Sequence, residues 1–247
     1  IPTYLVSQLA REHVKVALSG EGGDELFGGY FNYVGHRLAP SVGRLAPALR
    51  PLINHLPSST KRASSLDYKA KRFVDGAAQR PLERHSTWKS IFSPELRAEI
   101  LTPDHRGAHD PTELLRPTYD ETAGVDSLAR IMDVDLRVFL VEDMLVKTDR
   151  TSMARSLETR VPFLDPAVTD LALAIPSRLK VRGLSKKRLL RKALAPLVPD
   201  IVLNGRKQGF SIPVGTWLRE YLQSTARELL APSAIRSQGV FRDDVVT

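Results

Sequence analysis

The sequence predicts an α/β fold in which this chain is mostly α-helical, with one or a few strands near its N-terminus. Residues 14–18 alternate between apolar and other side chains, which is typical of a strand, and a glycine-rich turn follows directly. Most later segments repeat apolar residues every three or four positions, as helices packed by one face do. The order strand, turn and helix start indicates a binding site at the carboxyl end of a strand.

The turn at residues 19–25 combines three glycines with three acidic residues, Glu21, Asp24 and Glu25. It is not a dinucleotide fingerprint, because Glu25 stands where the third glycine would be, and no Gly-Lys-Ser/Thr follows as in a P-loop. Carboxylates beside glycine backbone N–H groups favour Mg²⁺ bridging a polyphosphate. A solvated acidic loop is the alternative interpretation.

Composition excludes several classes of protein. The 247 residues contain no cysteine, so there is no disulfide, no thiolate metal site and no cysteine nucleophile, which is compatible with a cytoplasmic protein. No apolar run reaches the length of a membrane span. The net charge of +8 would suit nucleic acid, but aromatic residues make up only 6% and give little support for base stacking. Nucleotide phosphates are a sufficient reason for part of the positive charge.

The second half of the chain begins with the strongest helical pattern. Its apolar positions are Ile131, Val134, Val138, Val141 and Leu145. Asp126 or Ser127 can cap this helix, and its far end runs into charged residues 147–154. The preceding residues 102–126 lack periodicity and are rich in proline, glycine, histidine and aspartate, which predicts a linker or mobile loop.

Two basic segments follow. Residues 178–192 hold eight basic residues and no acidic one, and either a solvated helix face or attraction of phosphate explains them. Arg206 and Lys207 lie on a loop bounded by glycines. A lysine there suits a phosphate or a developing oxyanion.

Four segments in this order resemble the synthetase domain of asparagine synthetase. They are residues 18–30, Asp149-Arg150 with Met153, residues 157–165, and residues 206–210. The resemblance implies a parent α/β fold of the pyrophosphatase-loop type, with a parallel sheet like that of the adenine-nucleotide alpha hydrolases. It also implies that residues 1–247 form the C-terminal part of that synthetase domain.

The resemblance implies a reaction as well. ATP would activate the side-chain carboxylate of aspartate as an acyl-adenylate and release pyrophosphate, and ammonia from a glutaminase domain would then give asparagine and AMP. The implied residues are Glu21 and Lys207 in catalysis, Ser19, Gly20 and Gly22 in ATP binding, Asp24 as a Mg²⁺ ligand, and Asp149, Arg150, Glu158 and Arg160 as orienting residues. A cytoplasmic homodimer, without a nucleic-acid or membrane partner, would fit this family.

Two features of the family are missing from the sequence. There is no glutaminase cysteine, and the pyrophosphate loop Ser-Gly-Gly-x-Asp-Ser does not occur. We therefore expect the glutaminase domain and the first strands of the sheet to be absent, and this chain alone to be inactive. The open alternatives are a family member that amidates another carboxylate in a cell-envelope or natural-product pathway, a β-lactam-forming relative, a non-catalytic scaffold and a nucleic-acid-binding module.

Overall fold

A computed structural model describes residues 1–55, 66–107, 110–205 and 212–246. The chain divides into two compact units, one of residues 1–88 and 114–208 and one of residues 89–113 and 209–247. The first unit carries the glycine-rich turn. Its helices are α1 (Pro2–Arg11), α2 (Gly23–Phe27), α3 (Phe31–Val42), α4 (Ala46–Asn54), α5 (Leu66–Ala77), α6 (Pro81–Lys89), α8 (Pro111–Glu121), α9 (Ser127–Val134), α10 (Val146–Met153), α11 (Pro166–Ala174), α12 (Ser177–Lys180), α13 (Arg188–Leu194) and α14 (Asp200–Asn204).

The first unit contains a parallel sheet of two strands, β1 (Val16–Leu18) and β2 (Glu158–Arg160). Val16 pairs with Glu158, and Leu18 pairs with Arg160. The mostly helical fold is therefore confirmed, and the sheet is parallel. The second strand is not near the N-terminus: it lies at residues 158–160, where it forms by pairing in parallel with β1. Pro162 favours extended backbone in Val161, the residue directly after the strand. The pyrophosphatase-loop fold stays a prediction.

The main core of this unit joins α3, α6 and α9. Its buried side chains include Tyr33, Leu82, Leu128, Ile131 and Val134. Each of them is at most 2% exposed, so the helices pack by the apolar faces that the sequence pattern indicates.

The long helix predicted from Ile131 to Leu145 is confirmed at its start but is wrong in its interior. Asp126 caps α9, because its Oδ1 atom accepts hydrogen bonds from the N–H groups of Leu128 and Ala129, each at 3.2 Å. The chain then continues as a π-helix over Asp135–Leu145 before α10 begins. The wider turn changes the buried face, so that Leu140 is 1% exposed whereas Val141 is 44% exposed.

The linker or mobile loop predicted over residues 102–126 contains the boundary between the two units, after Glu113, but most of its second half is helical. A single 3₁₀ turn covers Pro103–His105, and α8 covers Pro111–Glu121. The Asp110 side chain accepts a hydrogen bond from the N–H of Thr112, and Pro111 takes the first helical position, where its missing N–H costs nothing. The pair Asp110-Pro111 is a helix-start signal, but Pro103, Pro111 and Pro117 together favour a loop when the sequence alone is considered.

The second unit begins with helix α7 (Pro94–Ile100), where Ser93 Oγ accepts a hydrogen bond from the Leu96 N–H at 3.2 Å. Leu101 pairs with Phe241 in an isolated antiparallel bridge. The remaining helices are α15 (Val214–Arg219), α16 (Gln223–Leu229), α17 (Pro232–Gln238) and α18 (Asp243–Val246). In neither unit does a helix of the described residues have both the length and the apolar character needed to cross a bilayer.

The Asp126 cap gives a test of the fold. Replacing Asp126→Ala removes the acceptor for two helix N–H groups and for Ser177 Oγ, which donates at 2.7 Å. We expect the free energy of unfolding, measured by urea denaturation, to fall by about 1–2 kcal/mol. The matched control is Asp120→Ala, which removes an exposed ion pair with Arg130 and should cost no more than about 1 kcal/mol. Equal losses in both variants would contradict the capping role.

Candidate active site

The glycine-rich turn leaves the carboxyl end of β1. The Ser19 N–H donates to the Arg160 carbonyl at 2.8 Å, which extends the strand pairing into the turn. Gly22 then has a φ of +83°, and an added Cβ would lie 2.4 Å from Leu164 Cδ2, so both conformation and space require glycine there. Helix α2 ends at Gly28, with a φ of +75°.

The three acidic residues of the turn lie in three different environments. Glu21 is half-buried, and its Oε1 atom accepts a hydrogen bond from Thr148 Oγ1 at 3.0 Å. Asp24 Oδ1 lies 2.6 Å from Lys187 Nζ in an ion pair. Glu25 is buried and accepts a hydrogen bond from the Tyr30 hydroxyl. Burial raises the pKa of Glu25 above its usual range, and the Tyr30 hydrogen bond opposes that shift.

Lys187 is the functional candidate that sequence reasoning missed. It has a left-handed backbone, with a φ of +49°, and it immediately precedes α13. Its ammonium group lies against the turn, since a Cβ added at Gly23 would be 3.6 Å from Nζ. The signal was the basic segment at residues 178–192, but the sequence did not indicate which lysine faces the site.

The segment after β2 covers the apolar side of the turn. The rings of Phe163 and Phe27 meet edge to face at 5.8 Å, and Leu164 packs in the same cluster with Leu26. Phe163 also lies against Gly23. Two of the recognised sequence segments, residues 18–30 and 157–165, therefore form one structure.

The four predicted orienting residues are only partly brought to the turn. Arg160 contacts Ser19 through its main-chain oxygen, while its guanidinium binds Glu158 Oε1 at 2.7 Å along the same strand face. Asp149 and Arg150 directly follow Thr148 on α10 and are exposed. Asp149 and Arg150 are therefore close to the turn in the chain only because their neighbour Thr148 contacts Glu21, and the roles of their side chains stay predictions.

Of the predicted ATP-binding positions, Ser19 is half-buried and Gly22 is buried against Leu164. Gly20 is exposed, and a Cβ added there would meet no described residue within 4 Å, so a ligand can approach its backbone closely. Lys207, the second predicted catalytic residue, lies outside the described residues.

Asp24 is the one side chain predicted to bind Mg²⁺. Within the described ranges, no group of three or more histidine, aspartate or glutamate side chains is arranged to hold a metal ion. Mg²⁺ in phosphate-transfer sites is usually held by one or two carboxylates together with substrate phosphates and water. Asp24 fits that pattern, with Lys187 beside it as a second charge for a polyphosphate.

Comparison with known proteins agrees with this arrangement of segments. The family model described as asparagine synthase matches residues 1–247. A putative glutamine-hydrolysing asparagine synthetase of Mycobacterium tuberculosis is 40% identical over 228 residues, covering 89% of this chain and 33% of the relative. Glutamine-hydrolysing asparagine synthetase 1 of Bacillus subtilis is 32% identical over 94% of this chain and 36% of its own length. Amidase chry2 of Gibberella zeae is 25% identical over 95% of this chain and 37% of its own length.

The chain thus spans about a third of the length of these curated relatives. No solved structure gives a significant match. Because the family model covers the whole sequence, the matched region includes the glycine-rich turn, Thr148, the segment after β2 and Lys187. The chain therefore belongs to the asparagine synthase family.

Proposed function

We propose that this chain forms part of an enzyme that amidates the side-chain carboxylate of aspartate at the expense of ATP, through an acyl-adenylate. The observation that carries the proposal is the turn at the carboxyl end of a parallel strand, in which Glu21 is held by Thr148 and Asp24 pairs with Lys187. Open α/β sheets bind nucleotides at such strand ends. The named relatives are asparagine synthetases, which supports this substrate class.

The first step is adenylation. A carboxylate oxygen of aspartate attacks the α-phosphorus of ATP, and the bond to the departing pyrophosphate breaks. The open backbone at Gly20 and the half-buried Ser19 would approach the nucleotide, and Gly22, buried against Leu164, would shape the turn that binds it. Lys187 would neutralise charge on the departing pyrophosphate, and Asp24 would hold the Mg²⁺ bound to it. When bound, Mg²⁺ supplies further neutralisation of the phosphate oxygens.

The second step forms the amide. Ammonia attacks the acyl carbon, the carbon–oxygen bond to AMP breaks, and the nitrogen loses a proton. Glu21 is the carboxylate of the turn suited to accept that proton, because it is only half-buried and its Oε2 atom remains beside the oxygen bound by Thr148. Glu25 is unsuited, since it is buried against Tyr30. Lys207 would stabilise the charge that develops on the acyl group.

Further parts of the enzyme would come from outside this chain. Among the described residues, β1 and β2 form a sheet of two strands, and Val16 and Leu18 are 41% and 76% exposed. Parallel sheets are normally buried on both faces and contain more strands. We propose that the missing strands bring the family's pyrophosphate loop, and that a glutaminase domain brings ammonia.

A second candidate is amidation of a different carboxylate by the same chemistry. The similarity to amidase chry2, over 95% of this chain, supports this second candidate. A panel of carboxylates in an ATP-dependent AMP-release assay distinguishes the two. Aspartate as the best substrate supports the first candidate, and release of AMP with another carboxylate but not with aspartate supports the second.

The metal role of Asp24 can be tested by Asp24→Asn in the complete protein that carries this chain. The amide is isosteric but has lost the charge that would hold Mg²⁺. We expect aspartate-dependent exchange of pyrophosphate into ATP to be abolished. The control is Asp170→Asn on the exposed face of α11, which should exchange at the wild-type rate. Pyrophosphate exchange at the wild-type rate in Asp24→Asn would exclude a role for Asp24 in binding Mg²⁺.

The role of Lys207 can be tested by Lys207→Ala. Removing one charge that stabilises the transition state should lower the rate of asparagine formation by about 10²–10³-fold. Lys192→Ala, which changes an exposed lysine on α13, serves as the control for the loss of positive charge. A rate within about twofold of wild type for Lys207→Ala would exclude a catalytic role.

The dependence on further strands can be tested with residues 1–247 alone. We expect no AMP from ATP, Mg²⁺, aspartate and ammonia, because the sequence lacks the family's pyrophosphate loop. The complete protein that carries this chain is the positive control. Stoichiometric AMP and asparagine from residues 1–247 would contradict the expectation, and would mean that the phosphate-binding loop lies within them.

A further inference from the structure

The backbone around Glu21 is fixed, but its side chain needs a further restraint. Ser19 is held by the Arg160 carbonyl, and Gly22 has a positive φ that sets the turn. A glutamate side chain nevertheless has several rotamers, and ordering it costs conformational entropy. The hydrogen bond from Thr148 Oγ1 to Glu21 Oε1, at 3.0 Å, supplies that restraint across 127 positions of sequence.

The hydroxyl of Thr148 is used differently from that of its neighbour Thr151. Within a helix, threonine commonly donates back to a carbonyl of the preceding turn. Thr151 does so, donating to the Lys147 carbonyl at 2.7 Å. Thr148 instead donates to Glu21, although both residues lie on the same helix, α10.

Burial makes the residue type at position 148 informative. Thr148 is 7% exposed and lies on the inner face of α10. Valine has nearly the same shape and would satisfy packing without a polar atom to desolvate. Threonine at this position is therefore explained by the contact that its hydroxyl makes rather than by packing.

We propose that Thr148 is a positioning residue, which fixes the Glu21 carboxylate for the amide-forming step. The hydroxyl binds Oε1, so that the carboxylate is held in one rotamer and Oε2 is the oxygen left to take the proton from the attacking nitrogen. This inference rests on the proposed function of Glu21. It assigns Thr148 no contact with substrate.

The experiment compares Thr148→Val, Thr148→Ser and Thr151→Val in the complete protein that carries this chain. We expect Thr148→Val to lower kcat for amide formation with ammonia by about 10- to 100-fold, as for loss of a hydrogen bond to a charged group. The KM values for ATP and aspartate should stay within about twofold of wild type. Thr148→Ser keeps the donor and should recover most of the rate, and Thr151→Val should resemble wild type.

A double-mutant cycle with Glu21→Asp tests whether Thr148 acts through Glu21. The shorter side chain carries its carboxylate away from the Thr148 hydroxyl, so Thr148→Val should lower the residual rate of that variant by less than twofold. An equal loss in both backgrounds would overturn the proposal. So would a wild-type kcat in Thr148→Val, or a loss in Thr148→Ser as large as in Thr148→Val at unchanged thermal stability.

Failure of the proposed function gives a different result. If the wild-type protein forms no amide from any carboxylate, the proposed function fails, whereas the Thr148–Glu21 contact remains testable by urea denaturation. The same two substitutions and their combination then give a coupling in the free energy of unfolding. Additive effects in that cycle would overturn the positioning role independently of activity.

Discussion

The pairing of β1 with β2 is the constraint on which the rest of the first unit depends. Three residues on each strand, Val16–Leu18 and Glu158–Arg160, join parts of the chain more than a hundred positions apart. The register carries directly into the site, because the Ser19 N–H continues the ladder to the Arg160 carbonyl. From there the chain after β2 turns back over Gly22 and Gly23, and α10 before β2 presents Thr148 to Glu21. A shift of one residue in this register would reverse the faces of one strand relative to the other and separate these contacts.

The turn shows how neighbouring carboxylates acquire different chemistry from packing alone. Glu25 belongs to the inner face of α2, where burial raises its pKa and the Tyr30 hydroxyl satisfies it. Asp24, one position earlier, forms an ion pair with Lys187. Glu21 precedes the helix and lies half-buried beside a neutral donor. Three carboxylates of one turn therefore have three different partners, a buried tyrosine hydroxyl, an ammonium group and a threonine hydroxyl.

Sequence reasoning succeeded where structure is determined locally. The turn after β1 and the Asp126 cap were predicted from neighbouring residues, and both are present. It failed where distant contacts or unusual helix geometry decide. Thr148 and Lys187 reach the turn from sites far away in sequence, and no local pattern distinguishes them from nearby polar residues. An α-helical period of 3.6 residues predicts that Val141 is buried. The π-helix over Asp135–Leu145 has a longer period, and Val141 is exposed.

The position of Thr148 depends in turn on how the π-helix is anchored. Asp135 is the first residue of that π-helix, and it is 1% exposed. Its two carboxylate oxygens accept hydrogen bonds from Tyr33 at 2.8 Å and from His85 Nε2 at 3.0 Å. His36, on α3, lies against His85, and burial together with that neighbour lowers the pKa of His36, which favours its neutral form. Because α3 and α6 both hold Asp135, the change of helical period starts at a fixed point. The π-helix then continues into α10, where Thr148 contacts Glu21, so the buried polar cluster and the candidate site lie on one continuous helical segment.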